Sequence, residues 1–219
     1  RKWCELGDLS KQEASFILIG DSHSTAISGV LNSIGKERNI KGYYSADDGC
    51  PALIGVFPNR DLPHPSGQSK LCKYRNDEAF SLARELEIPF VILASRWDYY
   101  VDGSLSGDWN NISDSSFDLR NIDNARNVYS MAVESTVSAY SKINSKLIVI
   151  LQVPHQDINA REFLRKALEE NKPSLVAKFL RGGNELGISL EDHRARQLIA
   201  NEPWLKQRSR TLQHKFVLI

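Results

Sequence analysis

Apolar residues along the chain form five short segments that predict β-strands. Most of these segments are apolar throughout, which is typical of strands buried on both faces of a parallel sheet. The predicted strands are Phe16–Ile19, Asn39–Ser45, Pro89–Ser95, Lys146–Val153 and Lys215–Ile219. Between them, apolar residues recur at the spacing of one helix face. These patterns predict helices over Thr25–Glu37, Asn76–Glu87, Asn121–Ile143, Arg161–Glu170, Pro173–Leu180 and Leu190–Ala200.

The order of these elements indicates the fold class. Strands that alternate with helices predict an α/β protein, with helices on both faces of a doubly wound parallel sheet. We therefore expect a three-layer α/β/α sandwich with a five-stranded sheet, formed as one domain over residues 1–219. In such folds, ligands bind beyond the carboxyl ends of the strands. The residues that follow predicted strands should converge on that edge: Ser22, Gly49, Ser95-Arg96-Trp97 and Pro154-His155.

The turn after the first strand carries the most distinctive chemistry of the chain. Gly20 and Asp21 end the strand, and a helical pattern begins directly after Ser22. A serine in such a turn lies beside the N-terminus of a helix, where N–H groups and the helix dipole stabilise negative charge. A serine nucleophile needs this setting, because acyl transfer passes through an oxyanion. The alternative is a serine or aspartate that only caps the helix.

The composition is that of an ordinary globular domain. Of the 219 residues, 41% are hydrophobic and 25% are charged, and the formal net charge is +1. This balance argues against a nucleic-acid partner. No apolar run reaches the roughly 20 residues that cross a membrane, and Arg1–Cys4 has no signal-peptide core. If the domain is exported, we expect its signal or membrane segment to lie outside this chain.

The three cysteines allow one disulfide bond. Cys50 and Cys72 flank a long connection rich in Gly and Pro, and a bond between them would stabilise that loop by about 3 kcal/mol. Such a bond requires an oxidising compartment such as the periplasm. Two buried free thiols are the alternative. The spacing of cysteines and histidines does not suggest a zinc site, and Cys4 is left without a partner among these residues.

The segment Phe16–Ser24, FILIGDSHS, resembles the first motif of a known superfamily, and three shorter segments extend the similarity: Gly49-Cys50-Pro51, Cys72 to Asn76-Asp77, and Ser95-Arg96-Trp97. On these residues the chain resembles the SGNH hydrolase/acyltransferase superfamily, from about Cys4 to the end. The motif reads GDSH, and in this it resembles one bacterial branch of the superfamily. The SGNH domains of that branch are fused behind a membrane acyltransferase domain and O-acetylate surface polysaccharides such as lipopolysaccharide O-antigen. The resemblance implies a flavodoxin-like SGNH fold with Ser22 as the nucleophile.

The resemblance also implies an oxyanion hole. Its first donors would be the backbone N–H groups of Ser22 and Gly49. The superfamily motif Gly-x-Asn-Asp, which supplies a side-chain amide after the third strand, is replaced here by Ala94-Ser95-Arg96-Trp97. We expect Arg96, or alternatively Asn76, to supply the third donor. Gly49 has a second interpretation as a turn glycine, and Asn76 as a helix cap.

Four further residues near these motifs are expected to contact the substrate: Asp21, His23, Trp97 and Tyr99. Sugars present C–H faces that pack on aromatic rings, so the two aromatic residues fit a glycan acceptor. Packing in the core is the alternative for such rings. Asp21 also has an alternative role, because an aspartate in a turn commonly holds it through backbone hydrogen bonds.

A serine nucleophile also needs a general base, normally a histidine oriented by a carboxylate. The superfamily supplies both from an Asp-x-x-His block after the last strand, and this sequence contains no such block. None of the five histidines lies where the resemblance puts the base. We therefore expect the catalytic Asp and His to lie beyond Ile219. Without a base the serine hydroxyl stays protonated and is a poor nucleophile at neutral pH.

The resemblance implies a periplasmic O-acetyltransferase domain of an inner-membrane protein. A membrane acyltransferase domain fused upstream would deliver an acetyl group, derived from acetyl-CoA, to Ser22. The serine would pass it to a hydroxyl of a surface polysaccharide, and no cofactor or metal is expected in this domain itself. Two alternatives fit the same residues: a secreted carbohydrate esterase or lipase of the SGNH type, and a non-catalytic glycan-binding domain.

Overall fold

A computed structural model describes residues 3–58, 67–101, 112–114, 122–152, 160–180, 189–210 and 216–219. Within these ranges the chain forms eight strands. They are β1 (Cys4–Gly7), β2 (Ala14–Gly20), β3 (Lys41–Ala46), β4 (Phe57–Pro58), β5 (Phe90–Ala94), β6 (Ile112–Ser113), β7 (Lys146–Ile150) and β8 (Phe216–Leu218). The two shortest, β4 and β6, pair only with each other, and the other six form the central sheet.

The central sheet is mostly parallel, in the order β1-β3-β2-β5-β7-β8. All five predicted strands are present and pair in parallel. Their order, with the second strand outside the first and the others following on the opposite side, is the doubly wound order of flavodoxin-like folds. The central sheet has six strands instead of the predicted five, because β1 adds to its edge antiparallel to β3.

Seven helices lie within the described residues: α1 (Ser22–Glu37), α2 (Gly67–Glu85), α3 (Trp97–Val101), α4 (Ile122–Ser141), α5 (Ala160–Glu169), α6 (Pro173–Leu180) and α7 (Leu190–Arg210). Three differ from the prediction. α2 begins at Gly67 instead of Asn76, the short α3 was not predicted, and α7 continues to Arg210 with Pro203 inside it. These segments are polar or short, so apolar periodicity did not reveal them.

Helices cover both faces of the sheet. On one face, the cluster that contains Phe16, Leu18 and Ile92 packs against Ile27 and Leu31 of α1. The connections β2–α1–β3 and β5–α4–β7 advance in opposite directions across the sheet. Because such crossovers are right-handed, they place α1 and α4 on opposite faces. The predicted three-layer α/β/α arrangement is therefore confirmed.

The chain divides into two compact units. One comprises residues 1–152 and 200–219 and contains the central sheet, whereas the other comprises residues 153–199. In the second unit, α5 and α6 contact each other. The first unit carries the carboxyl edge of the sheet, so the site is described from its residues. None of the helices in the described ranges is long and apolar enough to cross a membrane.

A disulfide bond between Cys50 and Cys72 joins the loop after β3 to α2, with the two sulfur atoms 2.00 Å apart. This confirms the predicted pair. The bond fastens the loop directly beside the carboxyl edge, where Cys50 and Cys72 are both buried. The third cysteine, Cys4, has an exposed free thiol.

Candidate active site

Ser22 is the first residue of α1 and is exposed at the carboxyl edge of the sheet. The strand before it ends at Gly20, which pairs with Ala94 of β5. A Cβ at Gly20 would lie 1.8 Å from the carbonyl oxygen of Ala94, so only glycine allows this close approach. Asp21 is the N-cap residue of the helix. The serine therefore stands at the helix N-terminus, where developing negative charge is stabilised.

The carboxylate of Asp21 fastens this turn to the neighbouring strand. One carboxylate oxygen accepts a hydrogen bond from the backbone N–H of His23 at 2.8 Å. The other accepts from the backbone N–H of Arg96 at 2.9 Å and from the hydroxyl of Tyr100 at 2.7 Å. Asp21 is 1% exposed, so it has no surface for the substrate contact that the resemblance implied. Its role here is to hold the turn, the alternative that the sequence left open.

The turn after β3 lies beside the end of β2. The N–H of Asp47 donates to the carbonyl of Gly20 at 3.1 Å, and the N–H of Cys50 donates to the carbonyl of Asp47 at 2.9 Å. Gly49 has a φ of 67°, in the left-handed region that favours glycine. Its turn is thus held at the same edge as Ser22. The conformation accounts for glycine at position 49 whether or not its N–H serves an oxyanion.

Arg75 of α2 also holds this turn, a role that the sequence analysis did not identify. Its Nη1 donates to the carbonyl of Ala46 at 2.9 Å and lies 2.9 Å from a carboxylate oxygen of Asp47. The Arg75 side chain is only 9% exposed. A guanidinium presents several donors in a rigid plane, so one side chain can hold a carbonyl and a carboxylate together.

Asn76 does not lie free at the site. Its Nδ2 donates to the carbonyls of Pro51 and Leu53, at 2.7 and 2.9 Å. A side-chain amide has two N–H donors, so both are used in holding this loop. Asn76 is 4% exposed. The expectation that Asn76 donates to an oxyanion does not fit this arrangement, and neither does a capping role, because the residue lies well inside α2.

The turn after β5 brings Arg96 to the edge with a partly exposed side chain. Its Nε lies 3.5 Å from a carboxylate oxygen of Asp98, and its guanidinium lies 5.0 Å from the centre of the Tyr99 ring. The backbone N–H of Arg96 is used by Asp21. Arg96 could therefore donate to an oxyanion only through its guanidinium, and this role stays a prediction. Tyr99 and His23 are both half-buried at this edge.

Trp97 points into the core, contrary to the expectation that it contacts substrate. It is 0% exposed, and its Nε1 donates to the carbonyl of Ile150 at 2.7 Å. Its ring packs against Tyr129 and Trp204, with ring centres 6.5 and 5.0 Å away. The core-packing alternative is the correct one, because α3 begins at Trp97 and turns this side chain inward.

Gln152 ties the next strand end into the same edge, although the sequence analysis did not single it out. Its Oε1 accepts from the N–H of Asp98 at 3.0 Å, and its own N–H donates to the side-chain oxygen of Asn201 at 2.9 Å. Gln152 is 4% exposed. A polar residue placed directly after an apolar strand is the signal that would have indicated it.

The general base is the catalytic group that the serine still needs. His23 is the histidine whose side chain the structure describes. His64, His155 and His214 lie outside the described residues, and the side chain of His193 does as well. The expectation of a catalytic Asp and His beyond Ile219 therefore stays a prediction. Ile219 itself lies at the carboxyl end of β8, hydrogen-bonded to Val149 and Leu151.

Comparison with known proteins gives two findings. The family model described as "SGNH domain (fused to AT3 domains)" matches residues 1–217. Among solved structures, the chain is similar to the periplasmic domain of a lipopolysaccharide acetyltransferase from Salmonella ser. Paratyphi A, with 15% identity and a TM-score of 0.50. The similarity covers 95% of this chain and 67% of that one, and at this identity it shows the fold alone. No curated protein matched the sequence.

Proposed function

The chain belongs to the SGNH domains that are fused to AT3 domains, and on that premise we propose that it transfers an acetyl group through Ser22 to a hydroxyl of a bacterial surface polysaccharide. The observation that carries the proposal is the placement of Ser22. It is exposed, it begins α1, and its turn is held by a buried carboxylate that joins β2 to the segment after β5. A nucleophile needs this combination of access and fixed position.

The reaction would proceed in two steps. In the first, Ser22 Oγ attacks the carbonyl carbon of the acetyl donor while a base takes the hydroxyl proton, and the donor's leaving group departs with the electrons of the broken bond. In the second, a sugar hydroxyl gives up its proton and attacks the acetyl ester. This forms the O-acetyl sugar and returns the serine hydroxyl. Both steps pass through an oxyanion, which the N-terminal end of α1 stabilises.

The remaining donors to the oxyanion are assigned by the same proposal. The backbone N–H groups of Ser22 and Gly49 would contribute, since both residues lie at one edge of the sheet. The guanidinium of Arg96 is the third donor in this scheme, because its side chain is 31% exposed at that edge. A charged donor forms stronger hydrogen bonds to an oxyanion than a neutral amide does.

The acetyl group would reach Ser22 from the membrane. The family takes its description from fusion to AT3 domains, so we propose that a membrane acyltransferase domain in the same protein supplies the acetyl group, originally from acetyl-CoA. The domain would then act in the bacterial periplasm, as part of an inner-membrane protein. The Cys50–Cys72 disulfide supports this placement, because such bonds persist in oxidising compartments.

An esterase is the second candidate, because Ser22 is open to solvent and water can reach an acyl-serine there. The two activities differ in the final acceptor and therefore in the product. Hydrolysis releases free acetate, whereas transfer leaves the acetyl group on the polysaccharide. Exclusion of water would decide between them.

The test uses the full-length protein in cells from which the chromosomal copy has been deleted. The acetyl content of the surface polysaccharide is measured by NMR after complementation with the wild-type gene, with Ser22→Ala or with Ser28→Ala. Ser28 is a matched control, because it lies on the same helix and its hydroxyl donates to the carbonyl of Thr25 within that helix. We expect acetylation with the wild type and Ser28→Ala, and none with Ser22→Ala. Full acetylation by Ser22→Ala would disprove the proposal, and release of acetate without acetylated polysaccharide would favour the esterase.

A further inference from the structure

A cavity of about 620 Å³ lies on the outer side of the carboxyl edge. Its walls come from the start of β1, the end of β3 and the exposed side of α2. Cavities of roughly 300–1,000 Å³ are typical of small-ligand sites. None of the residues that we assign to the chemistry of Ser22 lines this cavity, so its purpose is not explained by the site already described.

Three aromatic residues line the cavity, and the hydroxyl of one of them, Tyr44, donates to Thr25 of α1. Trp3 is partly exposed directly before β1, and Tyr74 of α2 is 64% exposed. Leu71, one helical turn before Tyr74, lines the cavity as well and is 49% exposed. Exposed rings and aliphatic side chains on fixed elements offer a ligand apolar contact at little entropic cost.

The polar groups of the cavity are mainly acidic. Asp47 and Glu78 contribute two carboxylates, against one guanidinium from Arg75. That guanidinium is already paired with Asp47. This balance disfavours phosphates and other anions, because a buried or partly buried anion needs unmatched positive charge. It favours a neutral ligand with several hydroxyl groups, since carboxylates accept hydrogen bonds from hydroxyls.

The cavity shares one wall with the candidate active site. Asp47 lines the cavity and also begins the turn that contains Gly49, and its N–H bonds to Gly20 two residues before Ser22. Adjacent strands are about 4.8 Å apart, and β3 lies directly beside β2. A ligand in the cavity therefore lies one strand away from the strand that ends at the nucleophile.

We propose that this cavity binds a pyranose ring of the acceptor glycan, next to the sugar that receives the acetyl group. The C–H face of the ring would pack on Trp3 and Tyr74, and its hydroxyls would donate to Asp47 and Glu78. The role as an acceptor subsite rests on the proposed function. Binding of a neutral sugar can be measured without catalysis, so the two proposals can fail separately.

The first experiment measures binding to the 219-residue chain by saturation-transfer NMR with methyl pyranosides of galactose, mannose, glucose and rhamnose. We expect at least one of them to bind, and Trp3→Ala and Tyr74→Ala each to weaken it about tenfold. Trp3→Phe keeps an aromatic ring and should lose less. Phe90→Ala is the matched control. Phe90 is 41% exposed at the start of β5, at the amino edge of the sheet and away from the cavity, so its replacement should leave binding unchanged. Thermal unfolding of each variant verifies that it is folded.

A second readout uses the wild-type chain and does not depend on how variants fold. The free thiol of Cys4 also lines the cavity, so a bound sugar should slow its alkylation by iodoacetamide several-fold. The pyranosides should not change the alkylation rate of the unfolded chain. Absence of both NMR signal and thiol protection for every pyranoside would overturn the proposal. Sugar binding that is unaffected by Trp3→Ala and Tyr74→Ala would also overturn it. So would a cavity that binds an anion such as coenzyme A in preference to every pyranoside. If sugars bind as expected while Ser22→Ala leaves polysaccharide acetylation intact, only the proposed chemistry fails.

Discussion

The hydrogen bonds to Asp21 allow a quantitative test of how the nucleophile turn is held. Tyr100 is 0% exposed, and its hydroxyl donates to the Asp21 carboxylate at 2.7 Å. Tyr100→Phe removes this donor and leaves the ring in place. A hydrogen bond to a charged group contributes about 1.5–3 kcal/mol, so we expect a loss of about 2 kcal/mol in the free energy of unfolding. For a chain of this size, that lowers the melting temperature by about 4–8 °C.

Asp21→Ala should cost more, because it removes the acceptor of all three donors. It deletes the helix N-cap, worth about 1 kcal/mol. It also leaves the partly buried N–H of Arg96 and the buried hydroxyl of Tyr100 without this partner, at about 1–3 kcal/mol each. We expect a total loss of roughly 3–7 kcal/mol. In the Asp21→Ala background, Tyr100→Phe should have little further effect, since the bond it breaks is already absent. The double-mutant cycle then gives a coupling energy of about 1–3 kcal/mol.

The assay is urea denaturation followed by circular dichroism, with equal m-values as the condition for comparing midpoints. Tyr74→Phe is the control, because Tyr74 is 64% exposed and should change stability by less than about 0.5 kcal/mol. A Tyr100→Phe variant as stable as the control would refute the reasoning. So would additive effects of Asp21→Ala and Tyr100→Phe, because two groups that share one hydrogen bond cannot act independently.

Three further predictions follow from the same structure. Replacing Cys50 and Cys72 together by serine should lower the free energy of unfolding by about 3 kcal/mol, because the bond closes a loop with a sequence separation of 22. Chemical denaturation under non-reducing conditions measures this loss, and an unchanged midpoint would contradict it. Asn76→Ala should lower the free energy of unfolding by about 2–4 kcal/mol, since two loop carbonyls lose their donors. Asn76→Asp should lower it further, because a carboxylate places acceptor oxygens against those carbonyl oxygens. Burial raises the pKa of Tyr129 and that of Tyr140 above the ordinary value. Because the unfolded chain then loses these protons first, the contribution of the two tyrosines to stability should be constant below about pH 10. Above that pH it should fall by up to about 1.4 kcal/mol per pH unit for each tyrosine. Denaturation midpoints between pH 8 and pH 11 test this, and a Tyr140→Phe variant with an unchanged slope would refute the contribution of that residue.

The sheet was largely predictable because burial on both faces leaves a plain signal in the sequence. The five parallel strands carry continuous or nearly continuous apolar runs, and these segments all pair as expected. β1 lacked that signal, since Cys4 and Glu5 are exposed at the edge of the sheet. An edge strand forms because it pairs with its neighbour, and the four residues of β1 do not by themselves indicate that pairing. The start of α2 was missed for a similar reason, because its first turns carry few apolar residues.

The parts of the site that depend on local backbone geometry could be predicted from the sequence. The parts that depend on the direction of a side chain could not. The strand–turn–helix pattern placed Ser22 correctly at the helix N-terminus, and the loop composition indicated the Cys50–Cys72 pair. Trp97 was assigned to the wrong environment because an aromatic residue after a strand can point outward or inward, and only the three-dimensional path of α3 decides. Likewise, the partners of Arg75 lie 28 and 29 residues earlier in the sequence, so no local pattern announces them.

The most direct test of the central claim is to find the acetyl group on the protein itself. The full-length protein is isolated from cells after a rapid acid quench, digested, and examined by peptide mass spectrometry for an acetyl ester on the peptide that contains Ser22. We expect a fraction of the protein to carry acetyl at Ser22, and this fraction to rise when synthesis of the acceptor polysaccharide is blocked, because the second step then has no substrate. Unmodified Ser22 in the blocked cells, with an acetyl ester on a different residue and with polysaccharide acetylated normally once synthesis resumes, would contradict the assignment of Ser22 as the nucleophile.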